Sequence, residues 1–542
     1  MKLPEIAANS SGSFKSTSRF TRIDLRSVAW FSLFVLVGGW GIIHPLAIVY
    51  CLAVAVALGL CRIVILHVRR AGLEVWQVLL LIALSGYWLL NYGFENLTLH
   101  IGGFPIIIGY VLVYASLGLV VLSRKRLIAI AMKEPAVLCM LALIGLTVLH
   151  LVRDIPSYGI WALRDATMCL DGMFMLLGMA WARRSNSLGF LTKWMMVVFV
   201  LNMLYSLTFP WGEKLWSWSP QSGVFLKVPI IGNYNGAGDL LLTGAVFCIC
   251  VGVYLIRRPS WLMLLLAVVQ FLGIAITQDR RVYVATATIL LILVLLGEGK
   301  KVAKLLIVVP SAIIVIFLVT TVGGLRITGR IGEVNLDFFK DHIRSIQTSE
   351  GTPGSSVESR FDMADQALQH FFVHPVVGVG FGQPLISDTD LNTGAVTRMP
   401  HNSSLTYLTR LGLIGFAVWI AFHFFLIKKF ISALRQRRTC DDKVLSAFML
   451  WLFLFYVLVM IASLVEAPFE FPSGAIPFYF FMGLALGLMR WQLADKNKRE
   501  PRPAVFASGA ELNLIKSAPS RQVRMKKPQM QSSDFGMRLR DL

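Results

Sequence analysis

Apolar stretches long enough to cross a bilayer follow one another along most of this 542-residue chain, and that succession constrains its fold more than any other feature. A crossing helix needs about 20 apolar residues, and within lipid every backbone N–H and C=O must be satisfied by the segment itself or by a closed barrel. Fourteen such stretches are centred near residues 35, 56, 83, 112, 143, 173, 200, 244, 268, 289, 313, 415, 454 and 482. The first two run almost together and are divided at Gly41-Ile42-Ile43-His44-Pro45, where proline and a polar histidine suit a surface turn. With 56% hydrophobic and 15% charged residues, the expected class is all-α, a polytopic transmembrane helix bundle.

Basic residues then give an orientation. Alternate short connections hold Arg69-Arg70, Arg124-Lys125-Arg126, Arg183-Arg184, Arg257-Arg258, Lys300-Lys301 with Lys304, and Lys428-Lys429 through Arg437-Arg438, while the opposite set is sparse. The positive-inside rule places both termini in the cytoplasm and divides the chain into five parts. These are a basic N-terminus over 1–27, spans one to eleven over 28–322, a large external loop over 323–402, three spans over 403–490, and a basic, disordered cytoplasmic tail over 491–542. The net charge of +21 is mostly this topology signal. It is spread over many loops instead of one folded face, which argues against nucleic acid as a partner and leaves membrane lipids as the surface met by the basic tails. Neither terminus has the short apolar core and small-residue site of a cleaved signal peptide.

The 323–402 loop is where ionisable side chains accumulate, and ordered loops of such length usually carry function. Phe361, Ala364, Ala367-Leu368 and Phe371-Phe372 recur at spacing three and four, which predicts an amphipathic helix ending before His374-Pro375 and lying on the membrane. Val377-Gly378-Val379-Gly380-Phe381-Gly382 follows as a flexible or close-packed turn. It lacks the strand–helix setting of a phosphate loop. His401 stands just before Asn402-Ser403-Ser404, good N-cap residues for the next span.

Cysteines at 51, 61, 139, 169, 248, 250 and 440 fall in spans or on the cytoplasmic side, with neither a disulfide framework nor a metal-ligand pattern. No metal or other cofactor is expected. Asp388-Thr389-Asp390 has the spacing of a metal–nucleotide motif but no supporting context. Arg153-Asp154 and Arg164-Asp165 can be structural ion pairs, and Arg410, inside a span, can pair with Asp239 or Glu466.

Several of these pieces together resemble the shared domain of O-antigen ligases and O-antigen polymerases, a group that includes exopolysaccharide polymerases and bacterial protein O-oligosaccharyltransferases. They are Ser359-Arg360, His374-Pro375 through Gly382, His401-Asn402, Leu405, Leu408 and Gly412-Leu413-Ile414-Gly415. Gln278-Asp279-Arg280-Arg281-Val282-Tyr283 resembles the family's Ser-Arg motif at the outer end of a span, with Asp279 where the family usually has Ser. Gly232-Asn233-Tyr234-Asn235-Gly236 resembles its Gly/Asn segment. The likeness covers roughly 150–490, and fourteen spans exceed the twelve common in ligases.

The resemblance implies a metal-independent, inverting glycosyltransferase on the outer face of the bacterial inner membrane, using a glycan on undecaprenyl diphosphate as donor. Elementary chemistry fits these residues to that task. A departing diphosphate needs fixed positive charge, which arginine supplies bidentately, and an attacking hydroxyl needs a base neutral near pH 7. His401 is the catalytic candidate; Arg280, Arg360, Arg281 and Arg164 are the diphosphate-binding candidates, each with the duller alternative of a cap, a lipid anchor or an ion pair. Polymerisation of repeat units in O-antigen or exopolysaccharide synthesis is the leading expectation. Ligation onto lipid A-core (lipopolysaccharide assembly), transfer to protein and a non-enzymatic flippase or transporter are alternatives. The acceptor would be a glycan or lipid, and a chain-length regulator and a flippase would be partner proteins.

Overall fold

The computed structural model describes residues 72–298, 303, 352–386, 398–437 and 442–490, apart from 102–103, 184–186, 225–226, 233, 235 and 255–260. The expected spans at 35, 56 and 313, the loop up to residue 351, Asp388-Thr389-Asp390, Asn233, Asn235, the cysteines at 51, 61 and 440, and both tails lie outside the described residues.

Helices dominate. In chain order they are α1 (Val75–Leu89), α2 (Tyr92–Glu95), α3 (Ile108–Ser123), α4 (Lys125–Ala131), α5 (Pro135–Tyr158), α6 (Ile160–Leu170), α7 (Met175–Ala182) and α8 (Ser187–Ser206). Next come α9 (Gly212–Trp218), α10 (Ala237–Tyr254), α11 (Trp261–Thr277), α12 (Arg280–Leu293), α13 (Thr352–Val373), α14 (Ser403–Arg437), α15 (Lys443–Ser463) and α16 (Pro472–Leu488). Each expected span on described residues coincides with a helix, or with the α6–α7 pair joined by a 3-10 turn at Asp171–Phe174. By length and composition five segments among the described residues can cross a bilayer unaided: Pro135–Tyr158, Leu188–Ser206, Arg280–Glu298, Ser403–Gln436 and Lys443–Ser463. Others, such as Val75–Leu89 and Pro472–Leu488, are apolar but shorter. The chain is a multi-pass membrane protein.

Two antiparallel ribbons qualify the all-α expectation. β1 (Thr98–Ile101) pairs with β2 (Phe104–Ile107), and β3 (Gln221–Ser222) with β4 (Val228–Pro229). Ser222 Oγ ties them together, accepting from Thr98 N at 3.0 Å and donating to Asn96 O at 3.0 Å. These strands sit in connections between helices and leave the bundle unchanged.

Between helices in lipid, tight packing does what the hydrophobic effect does in water, so small residues mark the closest crossings. Gly178 on α7 lies against the Phe480 carbonyl of α16, and Gly483 lies against the Met175 carbonyl, so a Cβ at either would collide with backbone. Trp88 stacks with Trp194, Phe199 and Phe481 beside this crossing, knitting α1, α8 and α16.

Charges gather at the two ends of the bundle. Buried Glu134, before α5, pairs with Lys429 of α14 at 3.0 Å and with Arg490 beyond α16, while Glu74 pairs with Arg124. The opposite ends of these helices meet in the second polar region, where the site lies.

The long loop's described part docks on a break in α14. Gly412 has φ 63° and ψ −168°, so the helix stops and restarts there. The backbone groups this frees bond to the preceding loop: Leu413 N to Pro375 O at 2.8 Å, Ile414 N to Val376 O at 3.2 Å, Thr409 O from Val379 N at 3.0 Å and Arg410 O from Gly380 N at 3.0 Å. Gly378 (φ 78°) sits in this contact, and a Cβ there would strike the Arg410 carbonyl. The glycine-rich run is therefore the close-packed turn its sequence allows.

Candidate functional site

α13 ends at Val373, as its periodicity predicts, and begins earlier than the first apolar position, at Thr352. It packs on the first turns of α14 through Ala367, whose carbonyl accepts from Thr409 Oγ1 at 3.3 Å. Arg360 is carried on this helix. α12 starts at Arg280, capped by Asp279, whose Oδ1 accepts from Arg281 N at 3.1 Å. α14 starts after His401. Asn402 caps it, its Oδ1 accepting from Leu405 N at 3.0 Å, while Asn402 Nδ2 donates to Leu464 O at 2.9 Å.

These elements converge on Glu466, in the connection between α15 and α16. Its carboxylate lies 3.4 Å from His401 Nδ1, 3.5 Å from Arg360 and 3.7 Å from Arg281. The first distance is long for a hydrogen bond and within ion-pair reach. Burial alone would push the Glu466 carboxyl up; the His401 ring set against it and the charges of Arg281, His401 and Arg360 overcome it and hold the group below its ordinary range. Glu466 is therefore an anion at neutral pH.

The arginines differ in their surroundings. Arg281 is enclosed by Asp279 at 2.9 Å and Asp239 at 3.0 Å, with Glu466 beyond. A serine in place of Asp279 would still cap the helix but would bring no charge to the guanidinium, so the departure from the family pattern adds an ion pair to Arg281. Arg280 and Arg360 lie close enough for their charges to act on one another, and Arg360 is 40% exposed. Two like charges that act on one another at a half-open surface make that surface attractive to an anion.

Arg164 belongs to a second cluster. It pairs with Asp165 at 3.6 Å and lies 5.4 Å over the Trp161 ring, whose face also takes Arg398 at 4.3 Å. Arg153 pairs with Asp154 at 2.7 Å. The Arg410 pairing differs from the expectation: the partner is Asp165 at 2.9 Å, not Asp239 or Glu466, because the break in α14 turns that first segment toward α6. Between the clusters stands Glu470, which feels the charges of Arg410, His401 and Asp165 and is pushed up to about 7 by burial.

Backbone strain falls at this end as well. Asn91, Gln278 and His401 are the non-glycine residues with positive φ among the described residues, at 45°, 52° and 49°, and each sits at the start of a helix. Such conformations persist where the surroundings over-determine them, and they cluster at functional sites.

Residues 265–420 match the family model described as O-antigen ligase. That segment is similar to the domain the O-antigen ligase family shares. That domain spans Arg280, Arg281, Arg360, the docked glycine turn, His401 and Arg410. Glu466, Asp239, Asp165 and Arg164 complete the geometry from outside the matched segment. The family comprises membrane glycosyltransferase-like enzymes, ligases and polymerases. No curated protein matches the chain.

Glu466 is the residue that sequence reasoning missed as a partner of His401. Its signal was present: two acids, Glu466 and Glu470, beside a span end in a connection with no basic residue over 465–473.

Proposed function

We propose that this protein transfers a glycan from undecaprenyl diphosphate to a sugar hydroxyl on the outer face of the bacterial inner membrane, without a metal ion. The observation carrying this reading is the convergence of His401, Glu466, Arg360 and Arg281 at one corner of the family domain, with Arg280 beside Arg360. Glu466, facing Nδ1, orients the imidazole so that Nε2 keeps its lone pair for the acceptor. The hydroxyl gives its proton to His401 Nε2 as its oxygen bonds to the anomeric carbon from the face opposite the leaving group. The anomeric carbon–oxygen bond breaks with both electrons going to the diphosphate, whose growing charge meets Arg280 and Arg360. Arg281, already held by carboxylates, sets the position of Glu466. Arg164, in the neighbouring cluster, is suited to the more distant part of the donor headgroup.

The acceptor we favour is a growing glycan, which makes the protein a polymerase served by a flippase and a chain-length regulator. The description of the matching family as O-antigen ligase favours the second reading, transfer onto lipid A-core. Full-length protein in proteoliposomes, given the lipid-linked glycan with or without lipid A-core, separates the two. A ladder of repeats retained on undecaprenyl diphosphate marks the polymerase, and glycan moved to lipid A-core marks the ligase. Absence of transfer under both conditions, with inserted and folded protein, contradicts the proposal.

A further inference from the structure

We infer that Asp165, on α6, is a positioning residue for His401. This rests on the role proposed for His401. One carboxylate oxygen, Asp165 Oδ2, accepts from three donors belonging to separate pieces of the long loop and the helix after it. They are Gly382 N at 3.2 Å, Arg398 Nη2 at 3.1 Å and Arg410 Nη2 at 2.9 Å. Arg398 and Arg410 flank His401 in the chain, three residues before it and nine after, so one buried anion grips both sides of the turn that carries the histidine.

The remaining contacts make the grip directional. Arg398 also donates to the Gly382 carbonyl, sits over the Trp161 ring at 4.3 Å, and its own carbonyl accepts from Leu385 N at 3.0 Å. Arg410 spends its other nitrogen on the carbonyls of Gly380 at 3.0 Å and Gln383 at 3.3 Å. Asp165 and Arg410 side chains are 4% and 3% exposed, and Arg398 is 12% exposed. Charges this deep are costly unless paired, and a planar guanidinium fork fixes direction as well as distance. The hub leaves the Pro400-His401-Asn402 turn short of slack, in keeping with the strained φ of 49° at His401. Relaxation of that turn would carry the imidazole away from Glu466, 3.4 Å distant.

The test uses full-length protein in membranes and two readouts. The first is the rate at which diethyl pyrocarbonate modifies His401, followed by mass spectrometry and referred to exposed His374 in the same molecules; it needs no substrate. The second is turnover of the lipid-linked donor. Asp165→Asn keeps the shape and removes the charge; Arg398→Met keeps the stacking body and removes the donors, and serves if Asp165→Asn does not insert. Both are expected to raise His401 modification several-fold over His374. Turnover should fall by about 10- to 100-fold, the penalty of a misplacement near 1 Å, with donor KM little changed. Asp165→Glu should recover part of the turnover. Unchanged His401 reactivity in whichever variants insert overturns the inference. Raised reactivity in protein whose turnover also survives His401→Ala keeps the hub and overturns the proposed reaction instead.

Discussion

At the residue scale, the site divides its charges by task. His401 faces an anion on one nitrogen, Arg360 lies 3.5 Å from the same carboxylate with its charge felt by Arg280, and Arg281 is spent on three carboxylates. Removing the base in His401→Ala should lower turnover by about 10² to 10⁴ with donor binding largely kept. Arg280→Ala and Arg360→Ala should weaken donor binding and turnover together, and lysine should rescue only in part because a point charge lacks the fork. Steady-state kinetics on equally inserted variants check both. Glu470 offers a pH signature. Burial lifts its carboxyl from the ordinary 4.5 to about 7, so between those values the folded protein holds a proton that the unfolded chain has released. Its contribution is full below the lower value and declines as pH rises through the upper one. Glu470→Gln should flatten that decline, seen as a smaller fall in melting temperature from about pH 5 to pH 8; an unchanged slope would remove Glu470 as its source.

At the element scale, the break in α14 is the feature on which the site depends, since it turns Arg410 toward Asp165 and exposes the backbone that receives the glycine turn. Gly412→Ala forces an L side chain into a positive-φ, extended backbone that essentially only glycine adopts, at about 1–3 kcal/mol, and drives its Cβ into the Val376 carbonyl, so the variant should melt clearly lower in detergent. A wild-type melting profile would contradict this account of the break. Some of this was legible in the chain. The spacing of Phe361, Ala364, Ala367 and Phe371 placed α13 and its end, and Asn402 announced the cap of α14. The break was not legible, because a glycine inside an apolar span is common and only the docked loop makes Gly412 leave the helix. The Thr98–Ile107 hairpin had a signal in Gly102-Gly103 between two β-prone runs, obscured by the apolar span that follows at once.

At the scale of the whole molecule, hydropathy located the described spans because length and apolarity are local properties. Partner choice is not local: Asp165 and Arg410 lie 245 residues apart in sequence, and their pairing required the bundle to assemble. The two polar ends carry a topological prediction. Reporter fusions after Glu358 and after Arg437 should report opposite compartments, outer and cytoplasmic; a shared compartment would place the site on the wrong face for the proposed donor. The central claim is that the corner built by His401, Glu466, Arg280 and Arg360 transfers glycan from a polyprenyl diphosphate. The most direct measurement follows undecaprenyl diphosphate released by full-length protein in proteoliposomes, in excess chelator, for wild type and His401→Ala. The account predicts release matched one for one by new glycosidic bonds in wild type and nearly lost in the variant. Equal release by His401→Ala, or release that appears only when Mg²⁺ or Mn²⁺ is restored, would contradict it.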